Sequence, residues 1–285
     1  MAATFLWYTV ALPPCCAVNG KGDDDSLAKK TSSRRILFID EVRGFDIILM
    51  VCFHAFYTMG WLLDLPIGKT LYYFFEPAQP FFAGLFIFIC GICCWFSHNN
   101  WLRGLELAGV AVAMSLVLYF VMPDQMIWYG ILHLLATCIL LFALLKPLLS
   151  RIPPWLGLIL AATLAILTWN IPYYNGSFFG VEGLWSLAVP ESMIQNPWLY
   201  PLGLGHIRGA ADYFPLMPWF FVFLCGSFVG VWATKGKFPK WMYRSHAPFL
   251  SAAGRHTLII YIVHQPIIYG IGLAAAQVMR WLGVS

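Results

Sequence analysis

Windows of about twenty predominantly apolar residues recur along most of the chain, and nothing else in the sequence constrains the fold as strongly. A bilayer core offers the backbone no hydrogen-bond partners, so a crossing segment must close its own bonds as an α-helix or join a closed β-barrel. At about 1.5 Å rise per residue, about twenty residues cover the roughly 30 Å hydrocarbon core, which matches the helix. Composition agrees: 60% of the residues are hydrophobic and 11% charged, against roughly 25% charged in a soluble globular domain. The expected fold class is therefore all-α, a polytopic integral membrane helical bundle.

Seven spans are expected, with six or eight left open. They run from Arg34 to Leu63, about Leu71 to Phe96 with kinks at Pro77 and Pro80, about Gly104 to Val121, Met126 to Leu145, Trp155 to Ile171, Tyr213 to Ala233, and His256 to Val278. Residues 1–33 read as a disordered or poorly defined tail. Their apolar part, Phe5 to Val18, is broken by Pro13 and Pro14 and is too short to span, and the run GKGDDDSLAKKTSSRR is polar. Residues 34–285 read as one transmembrane domain. The connection from Pro172 to Asp212, between spans five and six, is about forty residues, a length usually functional or disordered. It carries Tyr173, Tyr174, Trp185, Trp198 and Tyr200 with Glu182 and Glu191. Those aromatics read either as interfacial anchors or as a carbohydrate-stacking wall.

Alternate connections differ sharply in Lys and Arg. One side collects thirteen, from Lys21, Lys29, Lys30, Arg34 and Arg35 through Arg103, Lys146 and Arg151 to Lys235, Lys237, Lys240, Arg244 and Arg255; the other has only Lys69, Arg208 and Arg280. The bias places the N-terminus in the cytoplasm and the C-terminus outside. The net charge of +4 is scattered through short loops, so it reads as orientation and not as a nucleic-acid footprint.

The first span, RRILFIDEVRGFDIILMVCFHAFYTMGWLL, carries Asp40, Glu41, Arg43, Asp46 and His54. Ionisable groups in hydrocarbon cost about 2.5–3.5 kcal/mol each even on the lenient insertion scale, so they face protein or a cavity. Arg43 and His54, eleven positions apart, return to within about 20° of one another, separated along the helix by roughly 16 Å. Asp40 and Asp46 flank Arg43 at i,i−3 and i,i+3. Two roles for Arg43 stay open, a structural ion pair with these carboxylates or a cation for a ligand, and Asp40 and Glu41 also suit the positive end of the helix dipole. By depth, His133 in WYGILHLL shares the level of His54, Glu76 can reach toward it, and His264 in YIVHQP enters from the cytoplasmic side. Each histidine has a plainer role as a hydrogen bond between helices. An imidazole titrates near neutrality and can take a proton from an attacking hydroxyl or amine. A guanidinium suits bidentate contact with phosphate.

Six of the eight cysteines (Cys52, Cys90, Cys93, Cys94, Cys138 and Cys225) lie in apolar segments, a distribution that fits neither a disulfide framework nor a zinc site. No metal is expected.

The segments IDEVRGFDIILMVCFHAF, LFIFICGICC, IWYGILHLL, DYFPLMPWFFVFLCGSFVG and AAGRHTLIIYIVHQP, in that order, resemble the membrane catalytic domain of the heparan-alpha-glucosaminide N-acetyltransferase family, most closely its short bacterial members. The resemblance covers about Arg34 to Gly270. The Arg43-x10-His54 spacing is also similar to the signature of the wider acyltransferase-3 group. These resemblances imply a transmembrane acyltransferase moving an acetyl group from cytoplasmic acetyl-CoA to a carbohydrate or glycan precursor at the outer face, in a bacterial inner membrane. They imply His54 at the reacting centre and Arg43 at the donor. By depth, spacing and charge, His133 and Glu76 are expected beside the first, and Asp40, Arg103, Arg255 and His264 around the second. The sequence departs from the lysosomal enzyme, which resembles it but has asparagine where His54 aligns and its catalytic histidine later, where this chain reads TMGWLLDLPIGK. A proton-coupled transporter and a non-catalytic membrane subunit are the alternatives. The expected partners are the bilayer, acetyl-CoA and the glycan acceptor; oligomeric state is left open, a homodimer included.

Overall fold

The computed structural model describes residues 35–172, 178–205 and 212–283, apart from the Asp124 side chain. The tail at 1–33 and the expectations on Arg34, Tyr173, Tyr174 and Arg208 lie outside the described residues. Among those described, six helical stretches are long and apolar enough to cross a membrane. They are α1 (Leu37–Trp61), the path of α2 (Pro66–Phe75) with α3 (Gln79–Cys93), α4 (Asn100–Val121), α5 (Ile131–Leu149), α8 (Leu216–Thr234) and α10 (Thr257–Trp281). The chain is thus an integral, multi-pass membrane protein of all-α type, its described strands being one short hairpin.

The fifth expected span becomes α6 (Pro154–Thr168), only 15 residues. At about 1.5 Å per residue it rises about 22 Å, less than the roughly 30 Å of a hydrocarbon core. The second apolar path begins at Pro66, ahead of the expected Leu71, because a proline at the first helical position gives up an N–H that has no intrahelical partner anyway. Its break falls at a 3₁₀ turn, Glu76–Ala78, containing Pro77, whose ring removes one backbone bond and crowds the preceding turn. Pro80 lies in the first turn of α3, where it is tolerated.

The chain divides into two compact units, Met1–Phe86 with Pro239–Ser285, and Ile87–Phe238. In the first, α1 packs against α2, α10 and a short helix, α9 (Pro248–Arg255), within a stretch read from sequence only as a connection. Eight residues are too few to hold an isolated helix in water, and α9 is fixed by its contact with α1. A Cβ added to Gly44 would lie 1.9 Å from Leu250 O, and one added to Gly254 would lie 1.9 Å from Asp40 O, so the two backbones touch. Beyond that contact Phe38 meets Trp241 edge-on at 4.7 Å.

In the second unit α4 pairs with α5 and α6 with α8. Its core includes the fully buried Ile87, Leu134, Ile139, Phe142 and Phe223. The described part of the long connection holds an antiparallel hairpin, β1 (Phe178–Val181) and β2 (Trp185–Ala188), a single turn α7 (Glu191–Ile194), and a 3₁₀ stretch, Pro197–Leu202. Trp185 and Trp198 are exposed, whereas Tyr200 is buried and stacks on Tyr213 at 4.3 Å. Tyr200 therefore belongs to the packing of the loop and not to an aromatic wall.

Candidate functional site

The first two and a half turns of α1 bury every ionisable side chain they carry: Asp40, Glu41, Arg43 and Asp46 are each at most 4% exposed. Each has a different local reason. Asp40 Oδ2 accepts from Arg35 Nε at 2.6 Å, and its Oδ1 lies 3.9 Å from Arg43 Nη1. Arg43 Nη1 also donates to Gly254 O at 3.2 Å, a carbonyl at the C-terminal end of α9 that accepts from Thr257 Oγ1 at 2.7 Å as well. Arg43 thus has a structural engagement across the α1–α9 contact in addition to whatever else its planar fork of five N–H groups can hold. Asp46 Oδ1 is buried without a hydrogen-bond partner among the described residues.

Glu41 does something its position alone did not reveal. Its Oε1 accepts from Ser245 Oγ at 2.9 Å, His246 N at 2.6 Å and Ala247 N at 2.9 Å, and its Oε2 lies 3.6 Å from His246 Nδ1. Ala247 is the N-cap of α9 and offers no side-chain acceptor of its own, so a carboxylate on α1 takes over the capping of another helix.

Farther along α1, His54 faces α10. Its ring centroid lies 5.0 Å from that of His264, tilted by 56°. His264 Nδ1 is 2.6 Å from Tyr261 O; a carbonyl only accepts, so Nδ1 carries the proton and Nε2 of the neutral ring is left as a base. That Nε2 is buried with no protein partner among the described residues. Glu76 is exposed in the 3₁₀ turn, and Arg255 is exposed at the end of α9.

The second unit holds the other two candidates. His133 Nε2 lies 3.4 Å from Ser115 Oγ, which donates to Ile127 O at 2.8 Å, and the carbonyl of His133 accepts from Thr137 Oγ1 at 2.8 Å. Arg103 is 8% exposed, and all three of its guanidinium nitrogens lack a partner among the described residues. No group of three or more His, Cys, Asp or Glu side chains among the described residues is placed to hold a metal ion.

Of the expected site residues, the first unit therefore brings Asp40 and Arg43 together at one end of α1 and His54 and His264 together farther along it. The pairing of His264 with His54 leaves no local signal in the sequence, because the two face each other from helices about two hundred residues apart. The capping by Glu41 had a trace in the sequence: Ala247-Pro248 opens α9 without a Ser, Thr, Asp or Asn at the cap.

The family described as heparan-alpha-glucosaminide N-acetyltransferase, catalytic, matches residues 35–266, well over half of the chain. The chain belongs to this family. Membership implies a membrane-bound acetyltransferase, and the matched segment contains all eight candidate site residues. No curated protein and no solved structure gives a match.

Proposed function

We propose that the protein transfers an acetyl group from cytoplasmic acetyl-CoA to a hydroxyl or amine of a carbohydrate or glycan precursor at the outer face of a bacterial inner membrane, with His54 as general base. The observation that carries this reading is one helix holding both a buried Asp40–Arg43 pair and, about 16 Å along it, an imidazole in contact with a second imidazole. The spacing suits an extended thioester donor, with its phosphates at a cytoplasmic mouth beside Arg43 and Arg255 and its carbonyl carbon deep in the bilayer. Glu76 is a secondary candidate for the reacting centre, and the second unit, taken by itself, offers a further cation, Arg103, and a further imidazole, His133.

In the proposed step the acceptor oxygen or nitrogen attacks the thioester carbonyl carbon, His54 takes the acceptor's proton, and the carbon–sulfur bond breaks. CoA leaves as the thiolate and takes from the His54 imidazolium the proton that came from the acceptor, which restores the neutral base. His264, with its proton held on Nδ1 by Tyr261 O, presents a second basic nitrogen beside His54 and makes up for the absence of a histidine in TMGWLLDLPIGK.

The test is labelled-acetyl transfer by purified protein, with thermal stability and CoA affinity measured alongside. His54→Ala is expected to fold and bind CoA while transfer falls by about 10² to 10⁴, the usual cost of losing a general base. Loss of a packing hydrogen bond between membrane helices would instead cost only about 0.6 kcal/mol. His54→Asn asks whether the chain works as the lysosomal enzyme does; retained transfer would move the base to His264. Parent-like transfer by His54→Ala, or solute flux without transfer in the parent, would overturn the assignment.

A further inference from the structure

In the second unit the end of α3, the start of α4 and the end of α5 come together around unused donors. Trp95, two residues past α3, buries its Nε1 without an acceptor among the described residues. Asn100 opens α4 and ties it to that turn by donating Nδ2 to Cys94 O at 2.8 Å. Arg103 follows one helical turn later with Nε, Nη1 and Nη2 all buried and unpartnered. Lys146, in the last turn of α5, sets its Nζ 5.5 Å from the centre of the Trp95 ring. No carboxylate among the described residues makes an ion pair with Arg103 or Lys146, although Glu106 lies only one turn beyond Arg103 on α4.

Burying an unpaired guanidinium is among the most costly arrangements a fold can contain, because a charge taken from water must recover its solvation from a partner. Cations at helix C-termini often serve the last carbonyls, but no carbonyl among the described residues accepts from the Arg103 guanidinium. The donors instead offer a guanidinium fork, an ammonium, an indole N–H and the positive end of α4, with Lys146 against the Trp95 ring and Asn100 tying the first turn of α4, which carries Arg103, to the turn before Trp95. This is the recognition chemistry of a phosphate oxygen array.

We propose that Trp95, Arg103 and Lys146 form a binding site for a phosphate group. Two sources share that chemistry: the phosphates of a nucleotide such as CoA, and the headgroup of an anionic phospholipid, for which basic pockets between transmembrane helices are suited. The nucleotide source rests on the donor reading given above; the lipid source does not. Binding measured without transfer keeps the two failures apart.

The experiment uses the full chain in nanodiscs of phosphatidylcholine alone. Binding of CoA, of dephospho-CoA (which lacks the 3′-phosphate) and of a short-chain phosphatidic acid is measured for the parent, Arg103→Met, Lys146→Met and Trp95→Phe. Loss of a charge-assisted contact is expected to weaken the cognate ligand roughly tenfold to a hundredfold. Weakening of CoA alone, with dephospho-CoA already weak in the parent, assigns a nucleotide phosphate. Weakening of phosphatidic acid alone assigns a lipid headgroup. Arg103→Met is expected to unfold at or above the parent temperature in the absence of ligand, since it removes an unpaired charge; a marked fall would show that the guanidinium is structurally paired and would overturn the proposal. So would unchanged affinity for all three ligands in Lys146→Met and Trp95→Phe, the gentler variants that decide the matter if Arg103→Met does not fold.

Discussion

Replacing Glu41 isolates the device that holds α9 against α1. Its Oε1 accepts two backbone N–H groups and one hydroxyl, and hydrogen bonds to a charged group contribute about 1.5–3 kcal/mol each. Ser245 can turn its hydroxyl elsewhere, whereas the N–H groups of His246 and Ala247 have fixed directions. Glu41→Ala should therefore destabilise by about 3–5 kcal/mol, the loss of two such bonds allowing for partial exposure of the donors His246 and Ala247. Glu41→Gln keeps an acceptor oxygen and loses the charge, and charge-assisted bonds are about twice as strong as neutral ones, so about 1–2 kcal/mol is expected. Because α9 ends in the carbonyl that receives Arg43, both variants should also weaken CoA binding in the same order. The assay is thermal unfolding in a single detergent, combined with amide hydrogen exchange at residues 246 and 247. Parent-like melting and parent-like exchange in Glu41→Ala would refute the reasoning, as would a Gln variant worse than Ala.

Gly254→Ala, whose Cβ would lie 1.9 Å from Asp40 O, should lower the melting temperature by an amount corresponding to about 3 kcal/mol or more, the upper end of overpacking costs; a melting temperature within error of the parent would contradict the contact. Burial pushes the Asp212 carboxyl up to about 6, against the opposing effect of the Ile131 N–H it accepts. The folded state then holds that proton more tightly than the unfolded one, so stability should fall as pH rises from about 4 to about 6 and stay level above, while Asp212→Asn removes the slope and gains on the order of 1–3 kcal/mol at pH 7. Arg43→Lys should recover only part of the CoA affinity lost in Arg43→Ala, since an ammonium lacks the bidentate fork; full recovery would mean that charge alone matters. A tag at the C-terminus should be labelled only from outside and one after Lys237 only from the cytoplasm, which requires the short α6 to cross along with the six longer stretches; the two sides exchanged would mean that α6 does not cross.

Much of the fold could be read from the chain because apolar length is a local property. The limits of α1, α4, α8 and α10 fall within a few residues of the expected spans, and the break before α3 is marked by Pro77. The short α9 could not be read that way, since its cap and its backing glycine contact come from α1, about two hundred residues earlier. The site divides similarly. Arg43 and His54 sit on one helix, where a period of 3.6 residues relates them, and Asp40 lies beside Arg43 as the i,i+3 spacing requires. His264 could be picked out as an intramembrane histidine, but its contact with His54 depends on how α10 packs against α1, which no spacing encodes.

Gly44 and Gly254 have a consequence for how sequences of this kind can diverge. Each fills its place because the other's helix backbone occupies the space a side chain would need, so neither can drift to alanine by a compensating trim elsewhere; there is no side chain across the contact to shorten. The exposed apolar residues of α1 and α10 can exchange Leu for Ile or Phe freely, and the β1–β2 hairpin can change length, while these two positions stay fixed or are lost together with the crossing. A glycine four residues after the Asp40 position, matched by a glycine directly before the Arg255 position, would therefore mark the same helix contact in a chain otherwise too different to align.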